Sequence, residues 1–289
     1  MLCAQLNAAV GQLGHRPVTD ASVHEARKQL KKARATLRLL RPALGSAYDR
    51  DNAAIRDAAR PLSAVRDGRA LLDTLDKLAG RYGPPARAIK SGAFRRVLER
   101  ERRAARRRMS GARSAMEPQR ADLKALASRA ARRKMNSCNW QVVGAGLKRV
   151  YANGRKAFRQ ARDACSPEAL HEWRKQAKYL RYQVEILTPL WHGPIGKRAD
   201  QLHKLADELG EDHDLVVLRG KVAAHRETFA DVEAQDALLG LIDRRRARLQ
   251  RKAIARGGKL YEEKPTDFER RFREYWRIWR HKDKARRAG

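Results

Sequence analysis

The segment VHEARKQLKKARATLRLL, Val23 to Leu40, returns 147 residues later as LHEWRKQAKYLRYQVEIL, Leu170 to Leu187, with eight of eighteen residues unchanged. The unchanged pairs are His24/His171, Glu25/Glu172, Arg27/Arg174, Lys28/Lys175, Gln29/Gln176, Lys31/Lys178, Arg34/Arg181 and Leu40/Leu187. The offset holds upstream, where Thr19 falls on Ser166, each suited to cap a helix start, with Pro167 suited to the first helical position. Ser22 with Glu25 forms a competing capping box for the first copy. The offset also holds downstream, where Leu62/Leu209, Asp67/Asp214 and Leu71/Leu218 match. Two separate blocks in one register point to a duplicated unit of several helices.

Both copies have helical period. On a wheel with His24 at zero, Arg27, Lys28, Lys31, Arg34 and Arg38 fall between about +40 and −80 degrees. Val23, Ala26, Leu30, Ala33, Leu37 and Leu40 fall between about 160 and 260 degrees and form the side to be buried. In the second copy His171, Arg174, Lys175, Lys178 and Arg181 take the basic positions, while Leu170, Trp173, Ala177, Leu180, Val184 and Leu187 take the apolar ones. No acidic residue lies between Arg27 and Arg41. The compensating carboxylates of an ordinary exposed helix are therefore expected to be missing, and like charges at these spacings call for an external anion.

The rest of the chain is helix-rich in composition. Ala, Leu, Arg and Lys dominate, aromatic residues make up 6%, and no segment alternates with period two, which predicts an all-α fold. Helices are expected at 20–41, 47–80 with an interruption near Pro61, 86–115, 118–134, 138–162, 167–191, 196–228, 232–256 and 266–286. The expected breaks are Gly83-Pro84-Pro85, Pro118, Asn136-Ser137, Ser166-Pro167, His192-Gly193-Pro194, Gly257-Gly258 and Pro265. Residues 1–18 read as an N-terminal extension. Residues 19–289 read as the domain, with a first half of about 19–164 and a second of about 165–289.

Net charge narrows the partners. Lys and Arg total 66 against 33 Asp and Glu, a net charge of +33. That excess opposes compaction unless a polyanion relieves it. Nucleic acid, an anionic membrane and a polyphosphorylated chain are the candidates. Cys3, Cys138 and Cys165 are widely spaced, with no metal-site pattern. MLCAQLNAAVGQLG lacks the basic start and long apolar centre of a signal peptide, and a cytoplasmic protein without a transmembrane segment is expected.

HEARKQLKKAR and HEWRKQAKYLR, joined to the LSAVRD and LGEDHDL blocks, resemble the CHAD family, the conserved histidine α-helical domain. The resemblance runs from about Thr19 to the C-terminus and includes KPTDFERRFREYWRIWR. It implies two pseudo-symmetric four-helix bundles with a basic groove or pore that binds inorganic polyphosphate, and a place at polyphosphate granules. Carried over residue by residue, the phosphate-binding role falls on His24, Arg27, Lys28, Lys31 and Arg34, and on His171, Arg174, Lys175, Lys178 and Arg181. Arg38 extends the first stripe, but its counterpart is Glu185. Tyr182 is a neutral hydroxyl candidate beside it. Asp67 and Asp214 read as carboxylates that orient an arginine, although Arg66 is replaced by His213 in the second copy. Arginines in RERRAARRR, Arg100 to Arg108, and DRRRARLQRK, Asp243 to Lys252, are expected to widen the surface or to face solvent.

Family members are often joined to a triphosphate-tunnel enzyme with alternating glutamates. The nearest pattern here, Glu99 and Glu101, lies in a helical stretch, where alternate positions diverge by about 200 degrees. No P-loop, HExxH, GxSxG or paired-carboxylate site is present, and His203 and His213, near Asp207, are ten residues apart and share no helix face. The expectation is a binding protein without catalytic residues, metal or cofactor. Non-sequence-specific nucleic-acid binding is the first competing reading and phosphoanhydride hydrolysis the second, and adventitious nucleic-acid binding is expected beside the preferred one.

Overall fold

The computed structural model describes residues 1–15, 19–83, 92–111, 116–133, 139–229 and 232–288, with the side chains of 63–67 among those left undescribed. Eleven α-helices and no strand occur among the described residues: α1 (Leu2–Gly14), α2 (Asp20–Leu44), α3 (Ser46–Ala59), α4 (Pro61–Tyr82), α5 (Ala93–Gly111), α6 (Met116–Arg132), α7 (Trp140–Ala164), α8 (Pro167–Leu187), α9 (His192–Ala224), α10 (Val232–Leu260) and α11 (Pro265–Ala288). The fold is all-α.

Local chemistry sets several of these ends. Thr19 Oγ1 accepts from the Ser22 amide at 3.1 Å and Ser22 Oγ accepts from the Thr19 amide at 2.9 Å, so the N-cap of α2 is Thr19 rather than Ser22. Ser166 Oγ caps α8 in the same way, accepting from the Ala169 amide at 3.2 Å. Pro61 sits at the first position of α4, where a missing amide costs nothing, and so splits α3 from α4. Three of the expected breaks do not interrupt helix. His192-Gly193-Pro194 form the first turn of α9. Pro118 lies inside the first turn of α6, where proline is tolerated. Gly257 lies within α10, where a Cβ would come within 2.6 Å of the Trp173 ring and 2.7 Å of the Phe158 ring. Close approach of α10 to α7 and α8, rather than chain termination, explains that glycine. The expected break at 136–137 lies outside the described residues.

Helix contacts group α1–α6 and α7–α11, a division that precedes α7 and differs from the expected boundary near residue 164. In the first part of the chain α1 packs on α2 and α6, α2 on α3, and α4 on α5. In the second part α7 packs on α8 and α11, α8 on α9, and α9 on α10. The two parts meet where α2 packs on α7 and α8, and where α4 packs on α9 and α10.

Burial is divided among three apolar cores. The first joins Leu6, Val10 and Leu13 of α1 to Leu30 and Leu37 of α2, Ile55 of α3 and Leu126 of α6. Residues 2–14, expected as an extension, are thus built into a core; their apolar positions recur at i, i+3, i+4 and i+7. The second core surrounds Trp173 of α8 with Tyr151 and Phe158 of α7, Leu202 of α9 and Phe268 of α11. The third combines Leu75 of α4 and Phe94 of α5 with Leu218 of α9 and Ile242 of α10. It belongs to neither part of the chain alone.

Candidate anion-binding surface

The two repeated segments become α2 and α8, which touch each other. Burial matches position by position: His24 and His171 are exposed, Lys28 and Lys175 are exposed, and the pairs Arg27/Arg174, Lys31/Lys178 and Arg34/Arg181 are half-buried. On the opposite face Leu30 and Ala177, and Leu37 and Val184, are buried. Each helix therefore separates a packed side from a basic side, as the wheel requires.

The second element of the repeat is an internal brace. Glu25 accepts from Gln29 Nε2 at 2.6 Å and pairs with Lys28 at 3.3 Å. Glu172 accepts from Gln176 Nε2 at 2.6 Å and pairs with Lys175. The Gln29 hydrogen bond, opposed by slight burial and aided by Lys28, holds the Glu25 carboxyl below its ordinary range. The expected absence of compensating carboxylates is corrected here: Lys28 and Lys175 each have an i−3 partner. Both lysines remain exposed, and an ion pair of this kind is worth only about 0.5 kcal/mol, so an incoming phosphate can displace it.

Guanidiniums are oriented by neighbouring elements. Arg27 Nη1 donates to the Ala59 carbonyl at 3.5 Å, and Arg34 Nε donates to Asn52 Oδ1 at 2.9 Å, both on α3. Arg38 donates to the Arg34 carbonyl at 3.0 Å, and its guanidinium carbon lies 3.6 Å from the centroid of the Tyr179 ring on α8. Burial pushes the Arg38 pKa down, against the favourable pull of Tyr179. In the second copy Arg181 Nε pairs with Glu185 at 2.7 Å. The departure at Arg38 against Glu185 thus has a structural consequence: one copy sends its arginine across the seam, and the other neutralises its arginine locally. Tyr182 is buried and sits beneath Arg181, its ring centroid 5.1 Å from the guanidinium carbon, so it does not serve as a surface hydroxyl.

The histidines have distinct neighbours. His24 lines a cleft with Asp20, Arg69 and Asp73. His171 Nδ1 lies 3.4 Å from Nδ1 of His213 on α9. Sequence reading placed His213 as a substitution for Arg66 and as a rejected metal-ligand partner of His203. The structure brings it beside the repeated histidine, 42 residues away in the chain. A helix wheel contains no inter-helix information, so only the shared offset could have hinted at this contact.

Several other expectations are redistributed. Asp67 and Arg66 lie outside the described side chains. Asp214 is half-buried and forms no ion pair among the described residues. The carboxylates that orient arginines are its neighbours Glu211, paired with Arg245 at 2.6 Å, and Asp212, paired with Arg246 at 3.2 Å. Arg245 and Arg246 are consequently internal struts, whereas Arg244, Arg248, Arg251 and Lys252 are exposed. Glu99 pairs with Arg95 at 3.0 Å on α5, and Glu101 pairs with Lys221 of α9 at 2.8 Å, so the two glutamates serve different cations. His203 pairs with Asp207 at 3.4 Å. Among the described residues no three His, Cys, Asp or Glu side chains are grouped to hold a metal, and no helix is long and apolar enough to cross a membrane.

A comparison with curated proteins finds no match. The family model described as CHAD domain matches residues 2–223. The matched stretch runs from the first residue of α1 almost to the end of α9 and contains both basic helices, 222 of 289 residues. With its repeated histidine helices inside that match, the chain belongs to the CHAD domain family.

Proposed function

We propose that this protein binds inorganic polyphosphate along α2 and α8, through His24, Arg27, Lys28, Lys31, Arg34 and Arg38 and through His171, Arg174, Lys175, Lys178 and Arg181. The observation that supports this most is the pairwise match in exposure of two basic stripes on helices that touch. A linear polyanion has no bases to read, and it needs dense guanidinium and ammonium groups along a line. Each stripe supplies them over about 15 Å, ten residues at the helical rise. Membership of the CHAD family agrees with this reading, as does the net charge of +33. We place the protein in the cytoplasm, at polyphosphate granules.

Nucleic acid is the weaker competitor because the aromatic rings near the stripes are occupied. Trp173 and Tyr182 are buried, and Tyr179 is covered by Arg38. None offers a face for base stacking. We further propose binding without hydrolysis; the separate engagement of Glu99 and Glu101 speaks against a shared metal-binding role for that pair. Phosphate release in the presence of Mg²⁺ that a carboxylate substitution abolishes would overturn this second proposal.

The test is binding of defined polyphosphate lengths by the intact protein and by the His24→Ala/Arg27→Ala/Lys28→Ala/Lys31→Ala variant. Affinity is expected to fall at least tenfold with unchanged far-UV circular dichroism. The slope of log affinity against log salt is expected to shrink by about three, one for each lost permanent cation. Unchanged affinity in the variant sinks the site. Displacement of long polyphosphate by duplex DNA at equal phosphate and salt sinks the ligand.

A further inference from the structure

The groove between the first turns of α9 and the last turns of α10 contains a cavity of about 700 Å³. Lys197, Arg198, Lys252, Arg256 and Lys259 line it, together with Gln201, and no carboxylate does. The clefts beside Arg69 differ in this respect, since Asp20, Asp73, Asp76 and Glu99 stand among their arginines. The basin shares no residue with the stripes of α2 and α8.

Two of its cations are fixed in place from behind. Arg256 is gripped by both oxygens of Glu208, at 3.0 and 2.9 Å. Arg198 donates to the Leu260 carbonyl at 3.0 Å and pairs with Glu263 at 3.2 Å. Glu263 also pairs with Arg271 at 2.8 Å, so two guanidiniums share one carboxylate. Arg198 Nε is buried without a hydrogen-bond partner among the described residues. Burial, then repulsion from Arg271, pushes the Arg198 pKa down. An excess positive charge is therefore held at the back of the basin. In front, Lys197, Lys252 and Lys259 are exposed and form no ion pair among the described residues.

Spacing distinguishes this basin from the stripes. Lys197 to Gln201 spans about one helical turn and Lys252 to Lys259 about two, so the cations surround a patch roughly 10 Å across. The volume is within the range of small-molecule sites, about 300 to 1,000 Å³, but the lining is ionic instead of apolar. Fixed arginines with mobile lysines in a concave site suit clustered phosphates, because the arginines are pre-organised and the lysines adapt.

We infer that this basin is a second anion site, which binds a compact small molecule carrying three or more phosphate groups. A nucleoside triphosphate and a cyclitol polyphosphate present the same chemistry there. The inference stands independently of polyphosphate binding by α2 and α8.

Calorimetry on the full chain, at about physiological salt, tests it with inositol hexakisphosphate and ATP as probes. Four proteins are compared: the unaltered chain, the basin variant Lys197→Ala/Lys252→Ala/Lys259→Ala, the stripe variant above, and a charge-matched control, Lys124→Ala/Lys148→Ala/Lys282→Ala. The basin variant is expected to lose at least tenfold in affinity for the preferred probe, while the control and stripe variants stay within threefold. Preference between the probes separates the two ligand sources. Equal losses in the basin and control variants would reduce the effect to net charge and overturn the inference. Loss in the stripe variant alone, or no saturable binding of either probe, would overturn it as well. Long-chain polyphosphate titrated into the same proteins reports separately on the stripes.

Discussion

Arg38 closes the seam between α2 and α8 by laying its guanidinium over Tyr179 at 3.6 Å. A buried guanidinium loses hydration, and the negative face of the ring offsets part of that loss, by about 1 to 2 kcal/mol in a desolvated setting. Tyr179→Leu is accordingly expected to lower stability in urea denaturation by about 1 to 2 kcal/mol, with Tyr179→Phe close to unaltered. Equal losses in both would assign the effect to the hydroxyl and refute the stacking account. Arg38 was legible in the sequence as a member of the basic stripe; its partner was not. The wheel favours Tyr182, which lies on the stripe side. Yet α8 is packed on α2, α7 and α9 together, and that crowding buries Tyr182 while turning Tyr179 toward the seam.

At the scale of elements, α7 and α2 approach closely at Gly146. A Cβ on Gly146 would fall inside the backbone of Leu39, whose side chain is buried with the core of α7 and α8 and not with that of its own α1 and α3. Gly146→Ala must push two backbones apart, and overpacking of this kind costs about 1 to 3 kcal/mol. Thermal denaturation is expected to show that loss, although alanine is the better helix former by about 1 kcal/mol; an increase in stability would show that α2 can give way. Helix existence was readable because caps and apolar periods are local: Thr19, Ser166 and Pro61 mark their boundaries in sequence and in structure. Gly257 was misread because glycine at a contact and glycine at a terminus look alike until the neighbouring Trp173 and Phe158 are known. The helix at 2–14 was missed because it has no charged face and no side-chain cap to announce it.

For the whole molecule, the sequence announces two linear halves that divide near residue 164, and in the structure α7, which ends at that boundary, packs on α2 from one side of it and on α8 and α11 from the other. Sequence register carries no information on how the halves interleave, which is why the third core came only with the structure. That core takes α4 and α5 from one half and α9 and α10 from the other, with Phe94, Leu98, Leu215 and Leu218 all buried. A cut between α7 and the preceding helices, or between α7 and α8, leaves each fragment with an open apolar wall. Produced as separate chains, 1–138 and 139–289 are expected to purify as a one-to-one complex and to self-associate when made alone, as size-exclusion chromatography with light scattering would reveal. A monomeric fragment with a cooperative melt would contradict this. Neither part of the chain is therefore portable: each keeps its apolar wall dry only while the other stands against it.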